Sequence, residues 1–129
     1  MENVEQTGFI RISDDVVSTI AGMAAIDTPG ISAMSGGMSE GLAKRLSGKN
    51  VQKGVSVEVG QLEAAIDLKV IVQYGWRFHE VCRNLQLNVR EAVENMTGLR
   101  VVEVNVKVEG VSMKEREEEA ASDETLRLK

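Results

Sequence analysis

With one cysteine, one histidine and 3 % aromatic residues, this 129-residue chain has few of the residue types on which small-molecule chemistry usually depends. A lone Cys82 forms no internal disulfide and supplies no cysteine-rich zinc site, which fits a reducing, cytoplasmic compartment. Any nucleophilic triad would have to be built on His79 or Cys82. So few rings leave little to stack on nucleobases or to line sugar and cofactor pockets. The formal net charge of -5 opposes nonspecific binding to phosphate backbones and to anionic lipid, so no nucleic-acid partner is expected. No window approaches the ~18 apolar residues of a membrane span, and Met1 to Asp15 lacks a basic start followed by an apolar stretch. The expectation is a chain that neither inserts into a membrane nor carries its own export signal.

What is present is ordinary globular composition, 43 % hydrophobic and 27 % charged, at a length suited to one domain with one core of Val, Ile, Leu, Ala and Met. Residues 1–7 are polar and read as a disordered start. Phe9-Ile10-Arg11-Ile12 reads as a short strand. Ser13 is an N-cap, with Asp14 and Asp15 in the first helical turn, where negative charge meets the positive end of the helix dipole. Val16, Val17, Ile20, Ala21 and Ala24 give the helical stripe, and Gly22, Ala24 and Ala25 make a small-residue face that can lie close to a sheet. Pro29 biases Thr28 away from helical geometry, and Gly30 turns the chain.

Ile31 to Ser35 is a candidate short strand, followed by a Gly36-Gly37 turn and one or two helical turns from Met38 to Gly48. Val55, Val57 and Val59, then Ile66, Leu68, Val70, Val72 and Tyr74, alternate with polar or solvent-facing positions, the pattern of two half-buried strands. Gly60 to Glu63 between them predicts an antiparallel hairpin. Phe78, Val81, Cys82, Leu85, Val89, Ala92, Val93 and Met96 share one stripe over about six helical turns, ended by Gly98. Val102, Val104, Val106 and Val108 alternate with Glu103, Asn105, Lys107 and Glu109 in a last strand that Gly110 ends. Residues 114–129 are mostly charged and read as a flexible tail. The fold class is therefore α+β, a two-layer sandwich with a mixed or antiparallel sheet and both main helices on its one greasy face. The other face, carrying Glu58, Asp67, Lys69, Gln73, Glu103, Asn105 and Lys107, is left to water or a partner.

The search for chemistry returns no catalytic, cofactor-binding or metal-binding residue. His79 and Cys82 stand three apart on the long helix, a spacing that suits two metal ligands, but third and fourth ligands are missing and Cys82 lies on the core stripe. Asp14 and Asp15 are adjacent helical residues that do not face each other, and capping explains both. The glycines at 36, 37 and 41 form neither G-x-G-x-x-G nor Gly-Lys-Ser/Thr, so no phosphate cradle is read from them. Trp76, beside Gly75 at the strand-to-helix joint, is open to two readings, a partner anchor or a cap on the core. Trp76, Lys69 and Lys107 are the candidate partner contacts.

The order and spacing of these blocks resemble a known family. Gly8-Phe9-Ile10-Arg11-Ile12-Ser13-Asp14-Asp15-Val16-Val17, Ile20-Ala21-Gly22-Met23-Ala24-Ala25, Pro29-Gly30-Ile31 and Met34-Ser35-Gly36-Gly37 look like the alkaline shock protein (Asp/Gls-type) envelope stress response family of mainly Gram-positive bacteria. Lys53-Gly54-Val55, Ile66-Asp67-Leu68, Tyr74-Gly75, Glu91-Ala92-Val93-Glu94, Met96-Thr97-Gly98-Leu99 and the run from Val104 to Val111 agree, so the resemblance covers residues 8–113. It is weaker over Ser39 to Lys53 and in the tail. The resemblance implies a cytoplasmic, non-catalytic protein of envelope homeostasis or stress, self-associating and held at the inner membrane face by a membrane-anchored protein partner. It supplies no catalytic residue and no cofactor. The alternatives are a regulatory subunit of a lipid-metabolism or cell-wall enzyme and, third, a small-molecule binder.

Overall fold

The computed structural model describes residues 7–36 and 53–113. The elements run α1 (Asp14–Ile26), β1 (Ile31–Met34), β2 (Val55–Val59), β3 (Glu63–Gln73), α2 (Phe78–Thr97) and β4 (Arg100–Ser112). Strand β3 is the spine of the sheet. β4 lies parallel to it along one side, with Glu63 opposite Arg100 and Gln73 opposite Ser112. β2 and β1 pair antiparallel with successive stretches of β3, Val55 to Val59 facing Leu68 to Ala64 and Ile31 to Met34 facing Val72 to Val70. The sheet is mixed, as expected for strands joined once by a hairpin and once by a helical crossover.

Local chemistry sets the helix ends. The Ser13 side chain accepts a hydrogen bond from the Val16 amide, and Asp14 and Asp15 occupy the first turn of α1. α2 stops at Gly98, whose φ of 78° is left-handed and whose amide closes on the Glu94 carbonyl. β2 and β3 are joined through Gly60 to Leu62, with the Gly60 amide donating to the Glu63 carbonyl at 2.8 Å. Both helices cover the same sheet face, and their residues share one core with β1, β3 and β4: Val17, Ala21, Ile26, Ile31, Met34, Ile66, Leu68, Val72, Leu85, Val89 and Val93 are all but fully buried. Burial of each large aliphatic side chain in this cluster contributes about 1.5–3 kcal/mol.

Four details depart from the sequence reading. Phe9 to Ile12 forms no strand, and the Phe9 and Ile10 side chains are 84 % and 78 % exposed. Alternation creates a strand only where a neighbouring strand pairs with its backbone, and no described strand pairs with this segment. The buried face of α1 runs through Val17, Ser18, Ala21, Gly22, Ala25 and Ile26, with Val16 turned outward. Tyr74 lies beyond the end of β3 and Met96 at the rim of α2, both exposed. Finally, β4 does not alternate cleanly. The register slips between Ala64 and Ala65 and again between Val70 and Ile71, so Val101 and Val104 point inward, Val102 points outward, and Glu109 is an extra residue. The expected helical turns between Met38 and Gly48, the polar start before Thr7 and the tail after Met113 fall outside the described residues.

Candidate interaction surface

The sheet face turned away from the helices carries a cluster of polar side chains that stand close together. The register stacks them in rows across the strands: Glu58, Ala65 and Glu103; then Ser56, Asp67 and Asn105; then Lys69 beside Lys107. The Asn105 amide donates to Asp67 Oδ1 at 2.8 Å and to Glu103 Oε2 at 3.1 Å. One row further along, the bulge in β4 aims Glu109 across β3, where its carboxylate accepts a hydrogen bond from the Ser35 hydroxyl and lies 3.8 Å from Lys107 Nζ. The Ser35 hydrogen bond, helped by the positive charges of Lys69 and Lys107, holds the Glu109 carboxyl below the usual glutamate range.

Of the three residues singled out in the sequence, the structure brings Lys69 and Lys107 together and leaves Trp76 elsewhere. Trp76 is 42 % exposed and sits in the helix layer, where its ring meets Gly30 alongside Val81 of α2. Ser35 and Glu109 were missed as members of the lysine cluster. The outward phase of Glu109 was legible from its alternation with Val108, but its reach to Ser35, 74 positions away, depends on strand order and on the bulge.

His79 is exposed and Cys82 half-buried, and burial pushes the Cys82 thiol above its ordinary pKa. Among the described residues no three of His, Cys, Asp and Glu come together as a metal site would require. A half-open hollow of about 970 Å³ lies between residues 8–14, the Gly60 to Leu62 turn and Leu99. Its apolar side chains Phe9, Ile10 and Leu62 point largely into solvent, and the Ser13 hydroxyl on its wall is already committed to the α1 cap. No described helix is long and apolar enough to cross a membrane.

Comparison with known proteins places this geometry among relatives. Residues 2–113 match the model of the alkaline shock protein family, described as having a cell envelope-related function. YqhY of Bacillus subtilis is 30 % identical over 92 % of this chain and 88 % of its own length. YloU of the same organism is 38 % identical over 81 % of this chain and 88 % of its own. A stress response regulator gls24 homolog of Streptococcus pyogenes is 34 % identical over 84 % of this chain, which spans 62 % of that longer protein. In fold alone, the zinc form of the MamM CTD is similar at a TM-score of 0.48 with 12 % identity, covering 78 % of this chain and 88 % of that one.

Proposed function

The chain belongs to the alkaline shock protein family, and on that premise we propose that it is a non-catalytic interaction module of cell-envelope homeostasis or stress response, acting through self-association and a protein partner. The observation that carries this reading is the division of the molecule into two unlike faces. One sheet face is sealed by both helices around the core, while the other presents ordered charges on a rigid strand surface with nothing packed over them among the described residues. Rigid, pre-ordered polar groups suit recognition by a macromolecular surface, since little side-chain entropy remains to be lost on contact. Lys69, Lys107 and Glu109 are the proposed partner contacts on that face, and Trp76 a separate one at the edge of the helix layer. A peripheral position at the inner membrane face follows only through such a partner.

The test is the mass in solution by light scattering over a concentration and salt series, with the full chain and with the chain ended after Met113. Growth beyond a monomer in both places self-association in the folded domain. A strict monomer in both removes self-association from the proposal and leaves the partner as its whole content.

A further inference from the structure

β4 is a 13-residue edge strand, far longer than β1 or β2 on the opposite side of the sheet, and no described strand lies beyond it. Unpaired edges of this length recruit other strands unless they are blocked. Two side chains from α2 do part of that blocking: Glu94 Oε2 accepts the Val101 amide at 2.9 Å, and Gln86 Nε2 donates to the Val104 carbonyl at 2.8 Å. These contacts also show which way the backbone faces. Val101 and Val104 direct their polar groups away from β3. Between Val104 and Val108 the register is unbroken, so alternation turns the amide and carbonyl of Val106 and Val108 outward as well. Among the described residues, no side chain of α2 covers those groups in the way that Gln86 and Glu94 cover theirs.

We infer that this edge pairs with the same edge of a second copy, antiparallel about a two-fold axis through Asn105, an inference that rests on the self-association reading above. A two-fold antiparallel pair fixes each residue's partner by a single number, the position of the axis. With the axis at Asn105, Val104 of one copy and Val106 of the other form hydrogen-bonded pairs, as their outward backbone requires. Glu103 then stands directly opposite Lys107 of the second copy, twice by symmetry, on the open face. Directly opposed unlike charges on neighbouring strands stabilise a pair, and like charges oppose it. Shifting the axis to Val106 sets Glu103 against Glu109, and shifting it to Lys107 sets that lysine against itself. Shifting it to Val104 leaves no opposite charges facing. An axis at Val108 would set Lys107 against Glu109, but it runs into the slip at Glu109, whose carboxylate is already held by Ser35. Within the unbroken stretch from Val104 to Val108 the charge pattern thus favours the Asn105 axis, and a Val104 carbonyl, with two lone pairs, can keep Gln86 while accepting the incoming strand. The product is one continuous sheet across two molecules, with the polar faces side by side.

Charge reversal tests the register. Glu103→Lys and Lys107→Glu each place two like-charge pairs at the interface and are expected to weaken dimerisation at least about tenfold, and the double variant E103K/K107E restores it. Circular dichroism melting of each variant checks that the exposed substitutions leave the fold intact. In a Cys82→Ala background, Asn105→Cys is expected to give a disulfide-linked dimer on mild oxidation, because residues on the axis form a non-hydrogen-bonded pair with Cα atoms about 4.5 Å apart. Cysteine at Ser56, exposed on the same face but in β2 at the opposite edge of the sheet, is expected to stay unlinked. Oligomers that form normally in both single variants, with no cross-link at 105, overturn this interface while leaving self-association standing. A wild-type chain that remains monomeric throughout overturns both and leaves the β4 edge to a strand of a different protein.

Discussion

Gly54 and Lys69 meet backbone to backbone: the Lys69 amide donates to the Gly54 carbonyl at 2.8 Å, and a Cβ on Gly54 would stand 2.8 Å from the Lys69 carbonyl oxygen. The same Cβ would lie 3.0 Å from the Ser35 carbonyl, and Gly54 holds a φ of 82°. One glycine therefore closes the joint where β1 and β2 meet β3, beside Lys69 in the row that carries the lysine pair. Gly54→Ala is expected to destabilise the domain by about 3 kcal/mol, from backbone overlap added to a left-handed conformation. Gly98→Ala, with a similar φ but open space around it, should cost only about 1 kcal/mol. Urea denaturation of the two variants checks the difference, and equal midpoints would remove the overlap from the account.

Trp76 has two readings that stability separates. Its ring packs on Gly30, where an added Cβ would come within 3.0 Å of it, while more than a third of the side chain stays open to solvent. Trp76→Ala is expected to lower stability by about 1–2 kcal/mol, less than the loss of a fully buried ring. An unchanged denaturation midpoint would assign Trp76 to partner contact alone.

Glu109 gives the open face a pH dependence with a definite sign. Its folded pKa is lowered, first by the Ser35 hydroxyl and then by Lys69 and Lys107, so its contribution is present above the ordinary glutamate range and disappears as pH falls through the lower, folded value. Carbon-detected NMR titration should find Glu109 ionising below the ordinary glutamate value. Ser35→Ala should move it back upward. If the two titration curves coincide, the hydroxyl is not the cause.

Cys82 should be a slow nucleophile. Burial disfavours its thiolate, so at neutral pH a smaller fraction is reactive than in an ordinary cysteine. Alkylation of the native chain is expected to run well behind that of the same chain in urea. Equal rates would mean that the thiol is neither shielded nor shifted.

Much of this molecule was legible along the chain. The Ser13 cap, the Gly98 stop, the β2–β3 hairpin and the central stripe of α2 through Val81, Leu85, Val89 and Val93 each depend on residues within a few positions of one another, and each is found as read. The same is true of the α+β class, since period-2 strands with one greasy face require a covering layer of helices. The face on which Lys69 and Lys107 stand followed from that alternation as well.

Other features answered to partners distant in sequence. Phe9 to Ile12 carries a strand pattern, but a pattern has no strand to join until the fold supplies one. The two slips in β4 carried no local signal, since Val101 and Val102 are the same residue type and only the pairing with β3 chooses which is buried. Sequence alone thus determined both helices with their caps, the β2–β3 hairpin and the class of fold, because propensity, capping and periodicity act over one or two turns of chain, whereas β4 begins at Arg100 and runs on past Gly110 to Ser112. Tertiary structure alone decided that β4 runs parallel to β3, that Glu109 reaches Ser35, and that the valines of the β4 edge turn their backbone outward, because hydrogen-bond direction across a sheet is a property of neighbouring strands and not of either strand by itself.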